Sequence, residues 1–316
     1  MTSTLTEQEV QSRLDPAEVI AAIEAAFRHR YLSVKMPTRT HVPLTHGTLL
    51  AMVCYDPQRQ TLGTKFVTVK DHPEPGHPSV QATYLLLDVD TAVPYLTVAA
   101  NYLTDLRTAA TSAVATKYLA RKDVQTLGIF GAGRLARTHA EVLPLVRRFQ
   151  RILVCGRDAA RTAEFVQQFS LQEHASKLAI QIADPRTCAS ESDVLCTCTS
   201  SATPLFDGHD LRPGTHLNLL GSFQPHKREA DTTTIQRARL VVETYQAALT
   251  EPGDILIPMQ QAAITRDHIA ADLHELTSGK KQGRTNEEEI TVFKSMGCAL
   301  EDLVTAELLL REKQEK

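Results

Sequence analysis

Thr126-Leu-Gly-Ile-Phe-Gly-Ala-Gly-Arg-Leu-Ala136 runs from an apolar strand pattern into Gly131-x-Gly133-x-x-Ala136 and then into a helical pattern. Each small residue has a physical task. Gly131 permits a tight turn, Gly133 lets backbone amides approach a pyrophosphate, and Ala136 allows the helix to pack close to the strand. The helix N-terminus adds amide donors and a partial positive charge, so the stretch suits the diphosphate of a dinucleotide. Gly131, Ala132, Gly133, Arg134 and Leu135 are the candidate contacts. A glycine pattern alone is weak; its place between a strand and a helix gives it weight.

Strands and helices alternate on the C-terminal side of this turn. Strand patterns at 151–155, 179–183, 194–199, 215–220 and 239–242, with helices at 134–149 and 158–170, set the rhythm of a parallel sheet with crossover helices. The tail from 287 to 312 reads as one or two helices through Ala299, Leu300, Leu303, Val304, Leu308 and Leu309. On the N-terminal side, Asp15-Pro16 opens an amphipathic helix with Val19, Ile20, Ile23, Ala26 and Phe27 at spacings of three and four. Runs rich in β-formers at 38–44, 48–55, 62–69 and 81–88, joined by short polar connections, predict an antiparallel sheet. An Ala- and Thr-rich helical stretch from 99 to 121 leads into the alternating region. The expected fold class is α/β: a Rossmann-type doubly wound parallel sheet plus an α+β domain.

Composition narrows the function. A chain of 316 residues is long for one core, so two domains are expected. The 34 Lys and Arg nearly balance the 37 Asp and Glu, with no long run of one sign, which argues against a nucleic-acid track or membrane patch and for a small-molecule partner. No export signal or apolar span is visible, and the six scattered cysteines read as reduced thiols, so a cytoplasmic location is expected. Cys196-Thr197-Cys198 lacks accompanying ligands at metal spacing and reads as strand core, so no metal is expected. His41, His46, His72 and His77 could serve catalysis, but their Pro-rich and polar settings read as surface.

The end of the second strand chooses between dinucleotides, because an acidic side chain there bonds the ribose hydroxyls of NAD. Val154-Cys-Gly-Arg-Asp158 offers Gly156 and then Arg157, room and a cation for a 2′-phosphate. NADP(H) is the preferred cofactor, with NAD(H) as the alternative, since Asp158 could serve the ribose or simply cap the next helix. Outside this region Arg39, Lys65 and Arg107 stand out, although any one of them could be a solvated surface charge. Leu62, Phe66 and Val67 imply that Lys65 is partly buried, and a buried cation needs an anion, which a carboxylate substrate could supply.

Several short motifs occur in an order that resembles the ornithine cyclodeaminase and mu-crystallin superfamily: Met36-Pro-Thr-Arg39, Gly63-Thr-Lys65, Arg107-Thr-Ala-Ala-Thr-Ser-Ala113, the Gly131 turn, Gly221-Ser-Phe-Gln-Pro225 with Arg228-Glu229, Glu251-Pro-Gly-Asp254 and Ile290-Thr-Val-Phe-Lys-Ser-Met-Gly297. The resemblance spans Ala17 to about Val304. It implies a homodimer formed through the N-terminal sheet and the C-terminal helix. It also implies a substrate-binding and dimerisation domain at 1–114 with 295–316, and a dinucleotide domain at 115–294. Arg39, Lys65 and Arg107 would hold a substrate carboxylate, with Ser222 as a further contact and Lys65 as the candidate catalytic residue; Ser79, Thr108, Thr199 and Ser200 join the cofactor contacts. Where the cyclodeaminases resemble one another in two acidic residues, this chain has Phe223 and Leu50, which argues against ornithine. Gly-Ser-Phe-x-Pro is similar to members that reduce cyclic imines such as pyrroline-2-carboxylate and piperideine-2-carboxylate. The rival readings are a cyclodeaminase, an alanine dehydrogenase, and a mu-crystallin-like protein that binds a ligand with NADPH.

Overall fold

The computed structural model describes residues 2–71, 74, 76–172, 175 and 178–310, so His72 and the end of the tail lie outside the described residues. The chain forms two compact units, Met1–Thr108 with Gly297–Lys316, and Ala109–Met296.

The first unit begins with β1 (Ser3–Leu5), α1 (Glu7–Arg13) and α2 (Pro16–His29). In α2, Asp15 caps the N-terminus by accepting from the amides of Ala17 and Glu18, Pro16 starts the first turn, and Val19, Ile20, Ile23, Ala26 and Phe27 are buried. Next come β2 (Thr40–Leu44), β3 (Gly47–Asp56), β4 (Thr61–Lys70), β5 (Val80–Leu87) and β6 (Pro94–Ala99). They pair antiparallel in chain order, and β1 adds to β6 in parallel. β1 was not expected, because three residues are too few to show a period.

Directly opposed residues of an antiparallel ladder project to the same face, so Met52, Lys65 and Tyr84 form one row across β3, β4 and β5. This face is buried. The opposite face carries Val53, Phe66 and Thr83 and is open to solvent or half-buried.

α3 (Asn101–Leu119) carries the chain into the second unit. There the order is β7 (Thr126–Phe130), α4 (Arg134–Val142), β8 (Arg151–Cys155), α5 (Ala159–Ser170), β9 (Ala179–Ile182), α6 (Pro185–Glu191), β10 (Val194–Thr197) and β11 (His216–Leu219). Then follow α7 (Thr232–Arg237), β12 (Ala238–Val242), α8 (Tyr245–Ala248), α9 (Gly253–Gln260), β13 (Ile269–Asp272), α10 (Leu273–Thr277) and β14 (Ile290–Lys294). All eight strands pair in parallel, in the order β13-β12-β14-β11-β10-β7-β8-β9. The class is α/β with a doubly wound sheet, as the alternating pattern implied.

The tail corrects one expectation. Ile290–Lys294 is not helical but a strand buried along its whole length, inserted between β11 and β12. Ile290, Thr291 and Val292 are β-branched, and a five-residue strand buried on both faces, its polar Thr291 and Lys294 included, shows no regular alternation to announce it. The remaining helix, α11 (Ala299–Leu308), returns to the first unit and packs on α2, β3, β4 and β5.

Strand order reverses at β7. The chain runs outward through β8 and β9, then crosses to β10 on the other side, so the C-terminal ends of β7 and β10 frame the crevice where such sheets bind ligands.

Candidate functional site

At the end of β7 the chain turns through Gly131 at φ +116°, a conformation that disfavours side chains. A Cβ there would also stand 2.5 Å from the carbonyl oxygen of Cys198, just past β10. The turn is tied on both sides: the Gly131 amide donates to Cys155 O (2.8 Å) and the Cys198 amide donates to Phe130 O (2.7 Å). Gly133 is the N-cap of α4, offers no side-chain cap, and would project a Cβ into open space. Ala136 is fully buried. No side chain of the N-cap residue lies over the N-terminus of α4, and the open space at Gly133 is what a phosphate needs. These residues fit a dinucleotide diphosphate.

α4 is held by His139. Its ring nitrogens bond to Leu135 O (2.8 Å) and to the Ser112 hydroxyl on α3 (3.0 Å). Burial pushes its pKa down to about 4, so at neutral pH the ring is uncharged, donating to the carbonyl and accepting from the hydroxyl. Sequence reading did not single out this residue.

After β8, Gly156 leaves room for Thr162, whose hydroxyl would stand 2.1 Å from a Cβ at that position. Arg157 is exposed. Asp158 is the N-cap of α5, with its side chain accepting from the Arg161 amide at 3.0 Å. A cleft of about 230 Å³ beside the turn is lined by Gly133, Arg134, Arg137, Arg161 and Phe165, among others. Thr199 and Ser200 follow β10 at the crevice. Of the remaining cofactor candidates, Ser79 is exposed before β5. Thr108 lies in α3 and spends its hydroxyl proton on Thr104 O at 2.7 Å.

Behind the crevice lies a buried carboxylate that the sequence reading quoted only as part of a motif. Glu229 accepts from the Thr197 hydroxyl (2.7 Å), the Thr199 amide and hydroxyl (3.1 and 2.6 Å) and the Gly221 amide (2.6 Å). It joins the loop after β10 to the loop after β11. Burial raises its pKa, and Lys294 opposes that shift. Asp254 in turn accepts from the amides of Glu229 and Ala230 and pairs with the buried Lys294 at 2.9 Å. Ser222, on the second of these loops, is buried and donates to Lys227 O; Phe223 beside it is half-buried.

The first unit holds the other candidates. Lys65 is fully buried, more than expected, and its partner is internal: Asp302 of α11 accepts from Nζ at 2.7 Å. The same Asp302 oxygen lies 2.9 Å from Arg107 Nε, and Arg107 Nη1 donates to Glu301 at 2.9 Å. The expectation that a substrate would supply the counter-anion is therefore amended: two carboxylates of the chain already do so. Desolvation first, and then the neighbouring Arg107, push the Lys65 pKa down to about 8, against the pull of Asp302. Leu50 is buried on the same face of β3 as Met52, which opposes Lys65. Arg39 is half-buried in the segment before β2, while His41, His46 and His77 are exposed. Asp302 and Glu301 were missed, although acidic residues flanked by Leu300, Leu303 and Val304 in a helix leave it no polar face.

The chain is similar to known proteins over most of its length. The model of the ornithine cyclodeaminase/mu-crystallin family matches residues 1–316. A Delta(1)-pyrroline-2-carboxylate reductase of Bacillus cereus is 36% identical over 284 residues, 89% of this chain and 86% of that protein. The structure of Thermococcus litoralis Delta(1)-pyrroline-2-carboxylate reductase with NADH and L-proline is similar at a TM-score of 0.92 and 36% identity, covering 97% of this chain and 95% of that one. An archaeal alanine dehydrogenase dimer with bound NAD is similar at a TM-score of 0.90 and 29% identity, covering 98% and 94%.

Proposed function

The chain belongs to the ornithine cyclodeaminase/mu-crystallin family, and from that premise we propose that it reduces a cyclic 2-imino carboxylate to the saturated amino acid, with NADPH preferred over NADH. The observation that carries this reading is the pair of buried cations, Lys65 of β4 and Arg107 of α3, brought to one oxygen of Asp302, with apolar Leu50 on the same sheet face as Lys65 and no acidic residue at the positions of Leu50 and Phe223. A cation pair suits one carboxylate, and an apolar surround suits a ring without a second charge. Pyrroline-2-carboxylate is the first candidate, because the Bacillus and Thermococcus relatives carry that name; piperideine-2-carboxylate, one methylene larger, is the second.

Reduced nicotinamide supplies the hydride. Lys65, Arg107 and Arg39 hold the substrate carboxylate, and the imine is used as its protonated iminium, whose positive charge lowers the cost of accepting the hydride at C2. As the C2–H bond forms, the C=N π pair moves to nitrogen and leaves the secondary amine. Lys65 is the candidate to hand the proton to nitrogen beforehand, because its lowered pKa makes it a usable acid near neutral pH. The preference for NADPH rests on Arg157 and on Asp158, whose side chain is engaged at the α5 N-terminus.

The test is loss of nicotinamide absorbance with pyrroline-2-carboxylate, and separately with piperideine-2-carboxylate, using NADPH and then NADH, with pyruvate plus ammonia and ornithine as controls. Fast NADPH consumption with a cyclic imine is expected, and Arg157→Ala should raise the KM for NADPH roughly 10-fold or more while leaving NADH nearly unchanged. Turnover of ornithine, or of pyruvate with ammonia, in place of the imines would overturn the reading.

We also propose a homodimer through the open face of the six-stranded sheet. Val53, Thr64, Phe66, Thr68, Thr83 and Leu85 lie on that face, with Lys70 at the end of β4, and Phe66 is 43% exposed. Such a patch marks an interface. Sedimentation should give twice the chain mass, and Phe66→Asp should shift it toward the monomer; a monomeric parent protein would rule the dimer out.

A further inference from the structure

Asp302 and Glu301 stand in the first turns of α11, both fully buried, in a helix hemmed by α2, β3, β4 and β5. The charged groups that meet at these two carboxylates are Lys65 from β4 and Arg107 from α3; farther along α11, Glu307 pairs with Arg30, which follows α2 and also pairs with the buried Asp56 of β3. Tyr84 opposes Lys65 on β5, and burial raises its hydroxyl pKa well above 10.0; burial likewise pushes the Cys54 thiol on β3 up to about 12. Both are neutral, so the four ionic groups balance one another. Asp302 has the central place: its Oδ1 accepts from Lys65 Nζ at 2.7 Å and forms an ion pair with Arg107, whose Nε lies 2.9 Å away. Without that shared oxygen, two like charges would stand side by side and repel. Gly297, at φ +89°, allows the arrangement, because a Cβ there would come within 3.1 Å of Arg107 Nη1.

We propose that Asp302 is the positioning residue of the carboxylate clamp: by sharing one oxygen between the Lys65 ammonium and the Arg107 guanidinium, it fixes the spacing at which both meet the substrate. This rests on the reading that Lys65 and Arg107 hold a substrate carboxylate. Asp302 acts through the two cations. It also keeps Lys65 charged, because it favours the ammonium against burial and Arg107. The sign follows. Lys65 is cationic below its pKa of about 8 and neutral above, so the attraction for a carboxylate is present at neutral pH and is lost as the pH rises through that value. Removing the Asp302 charge moves the loss to lower pH.

The experiment compares the full-length parent with Asp302→Asn and Asp302→Glu. It records kcat and KM for pyrroline-2-carboxylate across the neutral and alkaline range, NADPH affinity by fluorescence, and the stabilisation given by pyrrole-2-carboxylate, an unreactive planar carboxylate. In Asp302→Asn the KM should rise roughly 10- to 100-fold with a smaller change in kcat, and the alkaline fall of kcat/KM should begin at lower pH. Asp302→Glu should restore part of both effects, and NADPH affinity should be unchanged. An Asp302→Asn protein that keeps the parent's KM and pH profile overturns the proposal. So does one that loses kcat and NADPH affinity alike with no shift in the profile, which would be a merely structural role. Should Asp302→Asn not fold, the displaced pH profile of Asp302→Glu decides. A parent that reduces no imine, yet is stabilised by pyrrole-2-carboxylate in a way lost on Asp302→Asn, overturns the reductase reading and keeps Asp302 in its role. A parent neither active nor stabilised overturns both.

Discussion

Two buried ionic clusters, one in each unit, use the same residue types in different ways. In the second unit, Glu229 and Asp254 spend their oxygens mostly on the amides and hydroxyls of loops: Gly221, Thr199 and Thr197 on Glu229, and the amides of Glu229 and Ala230 on Asp254. Lys294 is the one cation that pairs with Asp254. In the first unit, Asp302 takes two cations on one oxygen, and Glu301 takes Arg107. A carboxylate that collects backbone amides fixes the shape of loops, whereas one that collects cations fixes the charge at a point. The first arrangement suits a crevice whose loops must keep their form, and the second suits the anionic substrate proposed above.

The largest effect should separate the two lysines. Lys294→Met takes away the cation that pairs with buried Asp254 and should cost about 3–5 kcal/mol of stability, visible as a lowered Tm, whereas Lys65→Met leaves Asp302 paired with Arg107 and should cost less. Only Lys65→Met should also reduce kcat/KM for the imine by roughly 100- to 1,000-fold with the folded protein, mostly through KM. Lys294→Met should keep the imine KM near that of the parent and lose activity only as it loses fold. Equal losses of imine affinity in both variants would erase the distinction between a charge-setting and a loop-setting cluster.

The same contrast explains what could be read from the sequence. The Gly131 turn was legible because its causes are local: a positive φ, an open position at Gly133 and a small Ala136 within six residues. The α2 cap and the strands β2 to β5 were legible for the same reason, whereas β1 and β6 were not expected. Lys65 stood out through its apolar neighbours, but its partner lies 237 positions away, and no local pattern announces a contact of that range. β14 was hidden by a related cause. Its pairing with β11 and β12 is set by the whole sheet, and a short buried strand is ambiguous until its neighbours are known. Glu229 sat inside a quoted motif, yet its four donors come from two other segments of chain, at Thr197 to Thr199 and at Gly221, which only folding brings to it.

Glu229→Gln gives the smaller and finer test of the loop-setting cluster. Each carboxylate oxygen of Glu229 receives two donors, one from a backbone amide and one from a threonine hydroxyl. An amide side chain is nearly the same shape but replaces one acceptor with an NH2 group. The threonine hydroxyl on that side can rotate to accept, but the backbone amide of Gly221 or Thr199 cannot and is left facing a donor. One buried amide without an acceptor costs about 1–3 kcal/mol, so Tm should fall by a few degrees. Because the affected loops border the crevice at the ends of β10 and β11, NADPH affinity should weaken, on the order of 5- to 10-fold, while the imine KM at saturating NADPH changes less. Fluorescence titration of NADPH beside steady-state kinetics reads both. A variant that binds NADPH as the parent does but loses imine affinity would place Glu229 with the charge-setting cluster and break the comparison.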